Sequence, residues 1–328
     1  MAGRKIAVDA ETWPIAGTFT IARGSKTEAE VVTVEIYEGF HVGRGECVPY
    51  RHYGETVEGV IATVKGIKGA LEGGADRALL ERLLPAGAAR NAVDCALWDL
   101  EAKQTGRRVW DIARLPSPTA VVTAYTISLG TPEAMAEAAR NAGRRSLFKL
   151  KLGGEGDIER VRAVRDVLPL AHLIVDANEA WTPDFYGAAV PQLQALGIEL
   201  IEQPFEAGKD EALARLPRPI PICADESCHT RESLQRLRGR YDAVNVKLDK
   251  AGGLTEALAL ARQAESEGFQ IMVGCMVSTS LAMAPAMVLA PLARYVDLDG
   301  PLLLAKDRAP GLRYHDSAVE APERELWG

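Results

Sequence analysis

Two lysines stand two residues apart in Phe148-Lys149-Leu150-Lys151-Leu152, and three carboxylates, Asp176, Glu202 and Asp225, each close a short apolar run. Lys247 follows in Val244-Asn245-Val246-Lys247-Leu248. Residues at i and i+2 of a strand share a face, so Lys149 and Lys151 enter one space while Phe148, Leu150 and Leu152 take the other side. One strand-end carboxylate reads as the N-cap of the next helix, but three in succession read as a site. Buried together they would repel unless protonated or bound to a cation, and an all-oxygen set suits Mg²⁺. No histidine or cysteine set offers a comparable zinc site. Amines beside such a cation could move a proton next to a carboxylate.

The elements that must position these groups follow from the patterning. From about Tyr125 onward, β-rich runs alternate with helical patterns: Val121 to Leu129, Phe148 to Leu152, His172 to Asn178, Ile198 to Pro204, Pro221 to Ser227, Ala243 to Leu248, Gln270 to Cys275 and Tyr295 to Asp299. Eight βα units in succession predict an α/β fold, a (β/α)₈-type TIM barrel. An open doubly wound sheet would need its phosphate fingerprint, and Gly153-Gly154-Glu155-Gly156-Asp157 puts Glu159 where the last glycine belongs. Residues 1–115 read as an α+β capping lobe, 116–310 as the barrel and 311–328 as a tail packing back on the lobe. In the lobe's helix Ala88 to Lys103, Val93, Leu97 and Leu100 form an apolar stripe, and Asp94 and Glu101 read as solvated or first-turn charges.

In a ring of eight, strands two and six stand opposite each other. Lys151 and Lys247 would then face each other across the carboxylates, one taking a proton and the other returning it on the opposite face. The result is inversion at carbon. A working amine base needs a pKa below the free value near 10.4, and Lys149 beside Lys151, the cation and burial are expected to lower it. On the sixth strand Asn245, Lys247 and Asp249 share one phase, and Lys250 reads as a charge just outside the site.

Composition excludes several classes. Hydrophobic residues at 47% and charged residues at 25% fit a folded soluble chain, and a formal charge of −7 without a basic block argues against nucleic acid. The five cysteines, Cys47, Cys95, Cys223, Cys228 and Cys275, are scattered and read as thiols of a reducing compartment. Asp9 and Glu11 interrupt any signal-like run, so the cytoplasm is expected. Met276 to Ala293 is the least polar stretch, but Ser278, Thr279, Ser280, Pro285 and Pro291 make it a buried helix and not a membrane span.

Taken jointly, these residues resemble the enolase superfamily, specifically its muconate-lactonizing subgroup and the dipeptide epimerases within it. The resemblance covers essentially the whole chain and implies roles. Lys151 and Lys247 become the acid/base pair, Lys149 an assisting lysine that also touches the substrate carboxylate, and Asp176, Glu202 and Asp225 the ligands of one Mg²⁺. Val296-Asp297-Leu298-Asp299-Gly300-Pro301 resembles the family's clamp for a substrate α-ammonium, and two carboxylates at i and i+2 suit a cation. Either aspartate could instead cap the following turn. Arg23 stands where the family places an arginine for a glutamate side chain, and Thr126 where it places a substrate-contacting threonine. The function implied is epimerisation of a dipeptide's C-terminal residue, with L-Ala-D/L-Glu as the expected substrate and murein peptide recycling as the setting; the oligomeric state is left open, a homo-oligomer being among the assemblies the resemblance admits. An N-succinylamino acid racemase or o-succinylbenzoate synthase on the same frame, and a catalytically silent peptide-binding barrel, are the alternatives.

Overall fold

The eight alternating runs become eight parallel strands wound in chain order. The computed structural model describes residues 3–328. Ahead of the barrel, β1 (Lys5–Ile21), β2 (Gly24–Glu38) and β3 (His41–Cys47) form an antiparallel sheet. Val32, Val34 and Ile36 of β2 bury one face of this sheet against Val93, Ala96, Leu97 and Leu100 of the helix Ala88–Thr105. β3 approaches that helix closely, since a Cβ on Gly43 would lie 2.1 Å from the Ala96 carbonyl oxygen.

Between the lobe and the barrel, β4 (Val121–Val122) leads into the barrel strands. These are β5 (Tyr125–Ile127), β6 (Leu147–Lys151), β7 (His172–Asp176), β8 (Ile198–Glu202), β9 (Ile222–Ala224), β10 (Ala243–Val246), β11 (Gln270–Gly274) and β12 (Tyr295–Asp297). Each pairs in parallel with its neighbours in sequence, and the Ala124 amide donates to the Val296 carbonyl at 2.8 Å to bring the two ends of the sheet together. Helices such as Asp157–Val167 bury their apolar side, here Ile158, Val161 and Val164, on the outside of this sheet.

The barrel interior is layered by strand alternation. Ala124, Leu147, Ile174, Leu200, Cys223, Ala243, Met272 and Tyr295 make an apolar floor. Two residues further along each strand come Thr126, Lys149, Asp176, Glu202, Asp225, Asn245, Gly274 and Asp297. All but Gly274 are polar.

Beyond the barrel, β14 (Ala318–Val319) pairs with β13 (Tyr314–His315) on one side and β4 on the other, and the last residues reach the lobe. There the Trp327 indole N–H donates to the Cys95 carbonyl and the Gly328 amide to Asp99. The tail thus divides its contacts between barrel and lobe. Because the helix Ala88–Thr105 lies between the lobe sheet on one side and the barrel and tail on the other, Asp94 is buried instead of solvated. It accepts from the Thr255 amide and hydroxyl at 2.9 and 2.6 Å, and burial pushes its carboxyl up to about 6. Glu101 pairs with Arg77. The stretch after Met276 forms the buried helix Ser280–Ala286 and a 3₁₀ segment, Met287–Leu292; among the described residues no helix is long and apolar enough to cross a membrane.

Candidate active site

At the C-terminal ends of the strands a cavity of about 730 Å³ opens between the barrel and the β1–β2 hairpin. Thr126, Lys149, Lys151, Asp225, Lys247, Asp297, Asp299 and Arg23 all line it. At its base, Asp176, Glu202 and Asp225 are buried, with one oxygen of each within 4.8 Å of the others. That close, buried, all-oxygen set fits a small hard cation.

The lysines flank the carboxylates as strand order requires. Lys151 Nζ lies 2.6 Å from Asp176, Lys247 Nζ 2.7 Å from Asp225, and Lys149 Nζ contacts Glu202 at 2.6 Å, Asp297 at 2.9 Å and Asp176 at 3.1 Å. Asn245 donates to Glu202 at 2.8 Å. Gly274 permits this, because a Cβ there would meet the Asn245 carboxamide oxygen at 2.4 Å.

Facing carboxylates dominate the electrostatics of Lys149 and Lys247. Burial pulls Lys149 and Lys247 down, but the facing carboxylates outweigh it, Asp297, Glu202 and Asp176 for Lys149 and Asp225 for Lys247, so both ammonium groups are held above their ordinary range. Burial likewise opposes ionisation of Asp176 and Asp225, yet Lys151 and Lys149 hold the first, and Lys247 and Lys250 the second, below the carboxylate range. Burial together with Asp176 pushes Glu202 up to about 7.

Two loop aspartates leave strand geometry. β10 ends at Val246, and Leu248–Ala251 is a helical turn, so Asp249 does not share the inward phase of Lys247. It turns to the lobe, accepting from the Val48 amide at 3.0 Å and the Asn91 carboxamide at 2.8 Å. Lys250 is fully buried and donates to Asp225 at 2.6 Å, so it braces a carboxylate from behind. Asp299 also lies beyond its strand, at the start of the turn Gly300–Leu303. It caps nothing by its side chain; its carboxylate accepts from the Thr126 amide at 2.6 Å and still borders the cavity. Burial and then Asp297 push it up to about 7.

Arg23 reaches the cavity from the hairpin tip with both terminal nitrogens occupied. One meets Glu179 at 2.8 Å and the Asn178 carbonyl at 3.0 Å; the other meets Glu226 at 2.6 Å and the Tyr50 hydroxyl at 3.3 Å. Glu226 and Asn178 were not expected at the site from the sequence. Their signal was adjacency, one directly after Asp225 and the other two residues after Asp176. Lys26, three residues from Arg23, also lines the cavity, as does Cys275, a free thiol that is only partly buried while the other four are fully so.

Comparison with known proteins bears on this geometry. Residues 4–113 match the family "Mandelate racemase / muconate lactonizing enzyme, N-terminal domain", and residues 133–325 match "Enolase C-terminal domain-like". The chain is 48% identical to an L-Ala-D/L-Glu epimerase of Escherichia coli, over 95% of this chain and 98% of that one. It is 46% identical to an N-acetyl-D-glutamate racemase of a Pseudoalteromonas species, over 91% and 95%. Among solved structures, an enolase family member from Agrobacterium tumefaciens with homology to dipeptide epimerases, bound to sodium and L-Ala-L-Glu, superposes with a TM-score of 0.97 at 51% identity over 99% of this chain and all of that one. A dipeptide epimerase from Methylococcus capsulatus, complexed with Mg and L-Arg-D-Lys, gives a TM-score of 0.91 at 34% identity over 99% of both chains.

Proposed function

The chain belongs to the enolase superfamily, in its mandelate racemase and muconate lactonizing enzyme branch, and on that premise we propose that it is a Mg²⁺-dependent dipeptide epimerase. It acts on the α-carbon of the C-terminal residue, with L-Ala-D/L-Glu as the substrate and murein peptide recycling in the cytoplasm as the setting. The observation that carries this is the placement of two lysines on opposite flanks of a buried tricarboxylate, with a second acidic pair, Asp297 and Asp299, on the same cavity.

In this reading Asp176, Glu202 and Asp225 hold the cation, with Lys250 and Asn245 fixing two of them from behind. When bound, Mg²⁺ would supply positive charge against the substrate carboxylate and offset the carboxylate charge that raises Lys247. Lys151 or Lys247, according to the epimer, accepts the α-proton; the C–H electron pair moves into the carboxylate, and the opposite lysine gives its proton to the other face of the carbon. Lys149 stays protonated among its carboxylates and neutralises charge. Asp297 and Asp299 take the free ammonium, with the Thr126 amide orienting Asp299.

Incubation in D₂O with Mg²⁺ tests this directly. Both epimers of L-Ala-Glu should exchange the α-hydrogen of glutamate, and removing either lysine should confine exchange to one epimer. Full epimerisation after loss of both would end the mechanism. The second reading, an N-acylamino acid racemase, is favoured by the racemase relative and opposed by the acidic pair. A panel of L-Ala-Glu, which keeps a free amine, and N-acetyl- and N-succinylglutamate, which lack one, separates the two.

A further inference from the structure

Both acid/base lysines belong to the barrel, but the backbone that follows each is held by a different part of the molecule. After Lys151, Asp157 accepts from the Gly153 and Gly154 amides at 3.0 and 2.7 Å and from the Trp181 indole at 2.8 Å. Each of these groups is the barrel's own. After Lys247 the chain makes the turn Leu248–Ala251 and then passes through Gly252-Gly253, and this segment lies against the lobe helix Ala88–Thr105. Arg90, Asn91 and Asp94 stand at i, i+1 and i+4 on that helix. Asn91 donates to Asp249 at 2.8 Å, Arg90 donates to the Ala251 and Gly252 carbonyls at 2.7 and 3.0 Å, and Asp94 accepts from the Thr255 amide at 2.9 Å. Asp249 also takes the Val48 amide at 3.0 Å, so one carboxylate joins the turn to two lobe segments. The approach is tight, since a Cβ on Gly252 would lie 2.5 Å from Arg90 Nε and one on Gly253 2.5 Å from Asp94. The Lys247 carbonyl accepts from the Lys250 and Ala251 amides, which ties the lysine's backbone to the turn.

We propose that the lobe positions one of the two acid/base lysines and not the other. Asp249, gripped by Asn91 and Val48 and backed by Arg90, is the positioning residue for Lys247, while Asp157 serves Lys151 from within the barrel. This rests on the epimerase reading for the reaction the lysines perform. A lysine reaches its target on a flexible four-carbon stem, so its aim depends on where the strand stops and the turn begins. Misplacing a reacting group by about 1 Å costs on the order of 100-fold in rate. Loosening the grip on Asp249 therefore weakens proton removal on one face of the substrate and spares the other. A contact that only held lobe and barrel together would weaken both.

The test follows α-hydrogen exchange in D₂O for L-Ala-L-Glu and L-Ala-D-Glu separately, at saturating Mg²⁺ so that movement of Lys250 in the same turn leaves metal occupancy unchanged. Lys247→Ala and Lys151→Ala first show which epimer gives its proton to which lysine. Asp249→Ala removes the grip, Asp249→Asn keeps an oxygen that accepts both hydrogen bonds, and Arg90→Met loosens the turn without touching Asp249. A thermal melt confirms folding. Asp249→Ala and Arg90→Met should slow exchange of the Lys247 epimer roughly 10- to 100-fold and leave the other epimer within about threefold of wild type, while Asp249→Asn stays close to wild type for both. A second readout needs no turnover: in protein carrying ¹³C-labelled lysine, the Lys247 side-chain resonance should move in Asp249→Ala and Arg90→Met while that of Lys151 stays in place. Equal slowing of both epimers, or unchanged exchange of the Lys247 epimer, overturns the proposal, as does a Lys247 resonance that moves no more than that of Lys151. A wild type that exchanges neither epimer would refute the epimerase reading, and the lysine resonances would then decide the positioning alone.

Discussion

The floor of the barrel and the layer above it are built from the same strands, two residues apart. Leu147, Ile174, Leu200, Ala243 and Met272 fill the lower level, while Lys149, Asp176, Glu202 and Asn245 occupy the next. Both levels are equally buried, so exposure does not distinguish them. What differs is the kind of contact. The floor is held by close packing, in which any lost volume is felt. In the upper layer every ammonium faces at least one carboxylate, and burial of those charges is a cost that the ion pairs only partly offset. Stability is concentrated below and reactivity above.

Substitutions can break that division. The largest effect is expected for Lys247→Ala, about 10²- to 10⁴-fold in epimerisation as for other acid/base groups, with the melting temperature little changed. Asp225 would still have Lys250 at 2.6 Å, so no buried charge is left alone. A collapse of the melt would show that the upper layer also carries the fold. Next, Leu200→Ala should lower unfolding free energy by about 3 kcal/mol through the cavity it leaves, while activity per folded molecule stays close to wild type in a denaturant series. Large loss of activity at full stability would erase the distinction from the other side.

The smallest and most informative case is Asp299→Asn. The native carboxyl is raised to about 7, so the stability it contributes is full below its ordinary value of 3.8 and is lost as pH rises through about 7. The amide has no such dependence. Asp299→Asn should therefore melt higher than wild type near pH 8, with the two curves meeting toward pH 4, and should bind free-amine dipeptides more weakly. A melt lower at every pH would mean that the carboxylate is structural.

Much of this division was legible in the sequence because it is written in period two. Lys149 and Lys151 alternate with Phe148, Leu150 and Leu152, and each barrel strand lies within its expected run except β6, which starts one residue early at Leu147. The illegible parts depend on where a strand stops or on what comes from far along the chain. Alternation carried past Val246 put Asp249 on the wrong side, because the backbone turns helical there. Asp94 looked solvated because its helix has one apolar stripe, whereas Thr255 of the barrel and the tail bury the other face. Arg23 could be placed at the cavity but not paired, since Glu179 and Glu226 lie more than 150 residues away in sequence. The carboxylates that raise Lys149 and Lys247 come from other strands, and that convergence is a property of the closed ring.

The helix Ala88–Thr105 has a further consequence. Its Asp94 holds the start of the helix Leu254–Ser266, its Asp99 holds the Gly328 amide, and its opposite face is the core of the lobe. Neither lobe nor barrel can lose its structure without exposing that helix. Its amides should exchange with solvent only through global opening, at one common free energy, whereas those at the Ile21–Gly24 hairpin tip should exchange independently and early. Lobe and barrel then open as one cooperative unit, with the helix Ala88–Thr105 as the part they share.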